Sequence, residues 1–457
     1  IMLKATLETK AKIVGGTLVT TSMKDKIIEG VSTDTREIQV HNLFIPLVGE
    51  KFDGHNFAFD AVKKGAVATL WDKRHPTPYL DAGIIIVDNT LQAYQKLASS
   101  YLKATGAKVV GITGSNGKTG TKDILASILK ENFRVHNTAK NLNNEIGVPK
   151  TIMEMDLDDE VVVLEMGMER FGEIKTLTNI ARPDIAVITN IGDSHLLELG
   201  TKENIARAKF EILEGLKPDG VFIFDNDDEV LREVIKEYTI TQKVIKIGTR
   251  EDSDVIIRPI RSDEEGSSFS IGEYAYSIPF IGKHQIYNAS VAITIAGLLG
   301  MNYGDIVRGL SRVKLTGMRM ELMHLSSFDI LNDCYKSNPQ SLTSCIETVY
   351  TMKGYKNKIL ILSDMLELGE NERKLHFSVG EKIDRNKIDY VICIGDLAKE
   401  IYNGANRNFN VNNLFHFETN EEVVNKVREL ISEDTLIMVK GSRGMKLEKI
   451  IEMLKEI

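Results

Sequence analysis

The sequence is poor in cysteine: Cys334, Cys345 and Cys393 are its only three, far apart and with no CxxC pair. That spacing offers neither a disulfide framework nor a zinc site, and it fits a reducing compartment. Long apolar runs are missing as well, and the first residues show no basic segment leading into an apolar one. A cytoplasmic location is therefore expected and membrane insertion is not. There is no excess of positive charge: 57 Lys and Arg stand against 65 Asp and Glu, a formal net charge of -8. A surface of that sign does not draw in polyphosphate backbones, which sets aside a general nucleic-acid binder. Anionic small molecules remain within reach of backbone donors and a few placed cations. What is present is ordinary globular composition, 42% hydrophobic and 27% charged, in a chain of 457 residues, too long for one compact core.

Residues 43–47 and 84–87 read as short strands, and a helical segment near 93–102 leads to a hinge at Thr105-Gly106. From residue 109 the rhythm changes. Apolar runs at 109–113, 161–164, 185–188 and 221–224 each end in a polar or glycine-rich turn and are followed by a helical pattern. Such runs alternating with amphipathic helices predict a mainly parallel sheet covered on both faces. The polar stretch 262–268 predicts a surface hairpin, and 288–299 a helix. After a break at 312–316, strands at 359–362, 390–394 and 436–439 and a closing helix at 445–454 form a third α/β block. The expected organisation is three α/β domains, 1–105, 106–313 and 314–457.

The apolar run 109–113 enters Gly114-Ser115-Asn116-Gly117-Lys118-Thr119 and then a helix with Ile124, Leu125, Ile128 and Leu129 on one face. Strand, glycine-rich turn and helix is the context a phosphate loop needs, because backbone N–H groups and the helix N-terminus both favour anions. Lys118 would reach the terminal phosphates and the Thr119 hydroxyl would ligate Mg²⁺. A general phosphate loop carries a further glycine where this chain has Ile112, so the pattern is the shorter G-x-x-G-K-T variant.

Two more strands deliver polar groups to the same edge, Glu165 after 161–164 and His195 a few residues beyond 185–188. Carboxyl ends of parallel strands face the crevice where α/β folds bind ligands. Glu165 is an easy Mg²⁺ ligand and His195 a less usual one. Lys209 lies on a helical stretch, where the residues alone make it one solvated charge among others.

These segments, in this order, resemble the Mur ligase family nearly end to end. The motifs are SxDTR at 32–36, FDGH at 52–55, GSNGKT at 114–119, NLNNEIGVP at 141–149, EMGM at 165–168 and NIGxSH at 190–195. ARAKFEI at 206–212, GKHxxxNA at 282–289, TGMRME at 316–321, YxxNP at 335–339, SDMLELG at 363–369 and KGSR at 440–443 complete the set. The resemblance implies a small N-terminal α/β domain that binds a UDP-sugar, a central ATP-binding domain of the phosphate-loop type and a C-terminal Rossmann-like domain. It implies an ATP-dependent ligase that joins D-alanyl-D-alanine to UDP-N-acetylmuramoyl-tripeptide through an acyl phosphate, acting as a monomer. A sister activity adding a diamino acid, a folylpolyglutamate-type ligase and a nucleotide-binding module without turnover are the alternatives.

By the same resemblance, Ser32, Asp34, Thr35, Arg36, Phe52, Asp53, Gly54 and His55 belong to the UDP side, and Asn141, Asn143 and Asn144 to the muramoyl-peptide. Gly114, Ser115, Asn116, Gly117, Lys118 and Thr119 would hold the ATP phosphates. His284 and Asn288 would line the adenine side, Arg319 would reach the phosphates and Asp333 the ribose. Two Mg²⁺ ions are implied, held by Thr119, Glu165, His195 and Lys209, the last as a carbamate made with CO₂. Gly120, Gln285, Asn332 and Lys336 depart from the family pattern on the nucleotide side.

Overall fold

The computed structural model describes residues 4–263, 265–316, 320–334 and 337–457. Three main sheets are arranged along the chain. The first has the order Thr17–Leu18, Gly83–Val87, Ala68–Asp72, Leu43–Phe44, Val31–Ser32 and is parallel except for its first pair. The run expected at 43–47 pairs only briefly. Ile45 N–H still donates to Ser32 O (2.9 Å), but Pro46 has no N–H to continue the ladder. Helix Thr90–Thr105 is capped by the Asn89 side chain and closed by Gly106 in a left-handed conformation.

The central sheet is nine-stranded. Strand β1 (Lys108–Thr113) lies in its interior and runs into helix α1 (Lys118–Leu129). β1 is flanked by β2 (Val161–Glu165) and β3 (Ile185–Ile188), both parallel to it. Val110, Ile112, Val163 and Val187 are buried on one face and Val109, Val162, Leu164 and Ile188 on the other, as strands covered on both faces require. Helix α2 (Lys202–Phe210) precedes β4 (Val221–Asp225), and beyond β4 the sheet continues through Lys243–Gly248.

The far edge differs from a purely parallel sheet. Val255–Asp263, Gly266–Ile271 and Tyr274–Ile278 form antiparallel hairpins, the last two joined by the two-residue turn Gly272-Glu273. A turn that short permits only an antiparallel return. The polar stretch 262–268 does form the expected hairpin, but its strands extend well to either side.

Helix α3 begins at Lys283 (Lys283–Leu298), five residues before the expected 288 and just after its N-cap Gly282, so His284 falls in its first turn. Ile286, Ala289, Val291, Ala292, Ile295 and Ala296 are buried around its circumference. A helix enclosed on all sides shows little amphipathic period, which is why its start is hard to read from sequence.

The third sheet has the order Glu321–His324, β5 (Phe328–Asp333), Thr435–Lys440, Asn357–Ser363, Tyr390–Ile394, Leu414–Phe417, parallel apart from the first pair. After β5 the chain enters helix α4 (Pro339–Thr351), whose capping box joins Asn338 and Ser341. The closing helix starts at Glu448, not 445, because Lys446 takes a left-handed conformation after a short turn. No helix among the described residues is long and apolar enough to cross a membrane.

Phe210, the last residue of α2, stacks on Tyr238 (4.7 Å between ring centres) and meets Phe222 of β4 at 5.7 Å. This aromatic cluster seats the helix that carries Lys209. Phe222→Ala is expected to cost about 3–5 kcal/mol, as for other fully buried aromatics. Denaturant unfolding followed by circular dichroism measures it.

Candidate active site

From β1 the chain moves outward to Val135–Asn137, returns to β2 and then crosses to β3 on the other side of β1. The crevice outside the carboxyl end of β1 is therefore a topological switch point, the place where such sheets bind ligands. A cavity of about 1050 Å³ opens there, bounded by the central sheet and by β5, α4 and Lys440 of the third block.

The floor of the cavity is the 114–119 loop. Gly114 has φ +150°, and a Cβ there would collide with the Thr189 side chain, so the turn admits only glycine. The loop is clamped by the segment after β3. Ser115 N–H donates to Asn190 O (3.0 Å), Asn116 N–H to Asn190 Oδ1 (2.9 Å), and Asn190 Nδ2 to Asn116 O (3.0 Å). Gly192 N–H donates to Ser115 Oγ (2.9 Å), and Lys118 Nζ folds back onto Gly114 O (2.7 Å). Gly120 gains a reason here: a Cβ would approach Asn288 Nδ2 to 3.0 Å, and Asn288 Nδ2 in turn donates to Gln285 Oε1 (3.4 Å). The two departures from the family pattern on this side thus pack against the same asparagine.

Glu165, His195 and Lys209 line the same cavity from three different elements. Glu165 and Lys209 are buried, at 1% and 2% exposure. The Glu165 Oε1 atom is enclosed without a hydrogen bond, with Lys122 Nζ 3.5 Å away. His195 has φ +68°, an uncommon conformation for a residue with a Cβ and one found where a side chain must be aimed. Its Nδ1 is 3.8 Å from Glu367 Oε2 of the third block. A carboxylate oxygen lacking a hydrogen-bond donor, an imidazole and a hydroxyl around one cavity fit a hard divalent cation.

The third block contributes Asp333, whose Oδ2 accepts from Lys440 Nζ (2.8 Å), and Asn338, whose Nδ2 donates to Asn116 Oδ1 (2.8 Å) and Ser194 Oγ (3.0 Å). His284 and Asn288 line the cavity from α3. Asn141, Asn143 and Asn144 line it from the loop before helix Gly147–Met153. There Asn144 Oδ1 accepts from Gly147 N–H (2.8 Å), and Asn143 O from Gly167 N–H (2.8 Å). Arg319 and Lys336 lie outside the described residues. Asn332 is buried in β5 away from the cavity.

Several lining residues were not singled out in the sequence. Asp225 ends β4 just as Glu165 ends β2, a strand-end signal that was available. Burial pushes its carboxyl well above the ordinary range, against the pull of the Asp227 N–H. Lys440 and Lys283 sit inside quoted motifs, but nothing in the residues alone marked them.

The residues assigned to the UDP side lie apart from this cavity. Asp34 grips Arg36 through both carboxylate oxygens and caps the turn Thr35–Glu37; the Arg36 side chain and N–H hold its carboxyl down to about 2. Ser32 lines a second cavity of about 340 Å³ with Thr33, Tyr94 and Lys150. Phe52 is exposed, and Gly54 opens the turn Gly54–Phe57 capped by Asp53. His55 is buried: its Nε2 accepts from Asp72 N–H (3.1 Å), so Nδ1 carries the proton and donates to Asp53 Oδ1 (2.7 Å). His75 stacks on His55 at 3.8 Å and its Nε2 meets Asp53 Oδ2 at 2.6 Å. The ligand atoms of Asp53, His55 and His75 fall within 4.8 Å of one another, but both His55 nitrogens are committed to hydrogen bonds, which makes the trio a hydrogen-bonded box and not a metal cage.

The phosphate loop at the switch point defines a nucleotide-binding α/β protein. The chain matches the Mur ligase family catalytic domain over residues 27–111, the Mur ligase middle domain over 112–296 and the Mur ligase glutamate ligase domain over 318–443. It is 43% identical to UDP-N-acetylmuramoyl-tripeptide–D-alanyl-D-alanine ligase of Bacillus subtilis strain 168, covering 100% of this chain and 99% of that protein. The Escherichia coli K12 ligase of the same name is 31% identical over 100% of this chain and 99% of its own. A crystal structure of MurF from Acinetobacter baumannii superposes with a TM-score of 0.90 at 27% identity, covering both chains completely. MurF from Thermotoga maritima in complex with ADP gives 0.82 at 26%, over 93% of this chain and 97% of that one. The chain belongs to the Mur ligase family, and is an ATP-dependent ligase that forms an amide bond.

The histidine box generates a pH dependence. Burial lowers the His55 pKa, against the opposing hydrogen bond to Asp53. Below about 6.5 the unfolded chain therefore takes up a proton that the folded chain resists, and stability falls. Burial tends to raise Asp53, but hydrogen bonds from His75 and from the His55 N–H and ring outweigh it and bring the carboxyl to about 2. That contribution is present above the unfolded value near 4 and disappears as pH drops toward about 2. Thermal unfolding between pH 7 and 3 should show both losses, and Asp53→Asn should reduce the lower one, to which Asp34 and Asp72, also held down to about 2, contribute as well.

Proposed function

We propose that this chain joins the amine of D-alanyl-D-alanine to the free carboxylate of UDP-N-acetylmuramoyl-tripeptide in peptidoglycan precursor synthesis, with ATP as the energy source. The observation that carries this is one cavity lined at once by the phosphate loop, by Glu165, His195 and Lys209, and by Asp333 of the third block. Full-length similarity to ligases of that name supports the substrate assignment.

The labour divides along the chain. Residues 1–105 hold the UDP-sugar, using Ser32, Asp34, Thr35, Arg36 and the 52–55 turn, while 106–313 hold ATP and 314–457 complete the nucleotide site. The protein works as a monomer in the cytoplasm. Backbone N–H groups of the 114–119 loop other than those of Ser115 and Asn116, which donate to Asn190, take the phosphate oxygens together with the Lys118 ammonium; His284 and Asn288 take the adenine side; Arg319 and Asp333 reach the phosphates and the ribose. Asn141, Asn143 and Asn144 orient the muramoyl-peptide.

A carboxylate is a poor electrophile, so its oxygen first attacks the γ-phosphorus while the bond to ADP breaks. The dipeptide amine then attacks the acyl carbon, phosphate leaves and the ammonium proton passes to solvent. Lys118 neutralises charge in the first step, where positioning and electrostatics supply most of the catalysis. Thr119, Glu165, His195 and carbamylated Lys209 would hold two Mg²⁺ ions, which when bound neutralise phosphate charge and polarise the phosphoryl group. A neutral Lys209 amine adds to CO₂ and releases a proton, turning a buried cation into an anionic oxygen donor that suits Mg²⁺.

Phosphate release with ATP, Mg²⁺ and UDP-muramoyl-tripeptide should depend on added D-alanyl-D-alanine; release that depends instead on L-lysine or glutamate would transfer the chain to a sister specificity. Lys118→Ala should lower turnover by roughly 10²-fold or more, the scale set by removing one transition-state donor, while calorimetric binding of the UDP-substrate survives. Lys209→Ala should be nearly inactive and partly restored by acetate; full activity without any additive would end the carbamate assignment.

A further inference from the structure

Lys122 is one of the largest fully buried side chains in the molecule, 2% exposed, one helical turn beyond Lys118 on α1. Its ammonium donates to the Thr138 carbonyl (2.8 Å) and lies 3.3 Å from Asp123 Oδ1 and 3.5 Å from Glu165 Oε1. Removing an ammonium from water costs several kcal/mol, and an apolar residue would fill the same space without that penalty. The cation therefore calls for a purpose beyond packing.

Its surroundings supply one. Glu165 is held at its main chain, where its N–H donates to Thr138 Oγ1 (2.9 Å), the same residue whose carbonyl receives Lys122. Its side-chain Oε1 is enclosed without a hydrogen bond, and the ammonium that faces that atom belongs to Lys122. Asp123, the counter-charge, is fixed in turn by the Thr316 N–H (2.7 Å). Glu165 lines the cavity whereas Lys122 does not, so Lys122 reaches the site only through Glu165.

We propose that Lys122 is a positioning residue for Glu165, a buried cation that fixes the carboxylate in the orientation presented to a divalent ion in the cavity. This rests on Glu165 being a Mg²⁺ ligand. Groups that hold a metal ligand from behind typically set affinity or activity by tenfold to a hundredfold.

Deleting Lys122 alone would combine lost orientation with an added local negative charge, and these act on metal affinity in opposite directions. Lys122→Met/Asp123→Asn removes one charge of each sign, so the net charge stays the same while the ammonium that faces Glu165 is lost. The measurement is Mn²⁺ binding to the nucleotide-free full chain by calorimetry, alongside the Mg²⁺ concentration for half-maximal phosphate release. Both should weaken about tenfold or more in the pair variant, with little change in the KM for ATP at saturating Mg²⁺. If that variant does not fold, Lys122→Gln/Asp123→Asn keeps a donor for the Thr138 carbonyl and should show a smaller loss in the same direction. Wild-type Mn²⁺ binding and Mg²⁺ dependence in the folded pair variant, beside weakened values in Glu165→Gln, would overturn the positioning role and leave the metal site standing. Wild-type values in Glu165→Gln would remove the metal assignment, and the positioning role with it.

Discussion

The site depends on the grip between two loops that leave adjacent parallel strands. A phosphate loop must turn part of its N–H groups toward an anion, and so cannot be held by a continuous ladder of the kind that holds a strand; at Ser115 and Asn116 the N–H groups instead donate to Asn190. Here the segment after β3 takes over that task. Asn190 both donates to and accepts from the loop, Gly192 bonds the Ser115 hydroxyl, and Gly114 lets the Thr189 side chain approach where any Cβ would block it. The same segment then carries His195 into the cavity. The shape of the 114–119 loop and the placement of the imidazole are thus set by one piece of structure, and a shift in either strand would disturb both.

The strands that build this site were the most legible part of the sequence, for a physical reason. β1, β2 and β3 are buried on both faces, so their apolar runs are continuous, and each stops where a polar group must emerge. Gly114–Thr119, Glu165 and His195 could therefore be placed at one edge from pattern alone. Lys209 could not: a lysine on a helix carries no mark of being buried, and it is the fold that leaves it 2% exposed in the cavity lining. Lys122 escaped notice for the same reason. The start of α3 and the antiparallel edge at 255–278 were obscured by different causes, enclosure on all sides in one case and short polar turns in the other.

The balance of charge inside the cavity bears on the lysines. Lys118, Lys209, Lys283 and Lys440 line it, against Glu165, Glu169, Glu173, Asp225, Asp227, Asp333 and Glu145. A polyphosphate entering such a space meets cations on the loop and third-block sides but carboxylates at the ends of β2 and β4. An anion and a carboxylate cannot be brought together in a low-dielectric space without positive charge between them. The acidic strand ends accord with the proposal that divalent ions accompany the nucleotide, under which an ammonium at Lys209 would face those ions unless its charge were reversed.

The joint between the central and third blocks carries an apolar contact, Ile281 buried against the third block's core, but the groups that meet beside this cavity are polar. Asn338 bonds Asn116 and Ser194, Gln340 receives a donor from Asn116, and Glu367 stands near His195. Polar contacts of this kind exchange for water at small net cost, whereas an apolar joint of the same extent would lose its burial on opening. The bonds also fall on Asn116 of the phosphate loop and on Ser194 of the segment that clamps it, so separation of the blocks would expose both. A ligase that must admit three substrates and then exclude water from an acyl phosphate needs a joint that opens cheaply and closes on the reacting atoms. The asparagine bridge provides the first property by its chemistry and the second by its position.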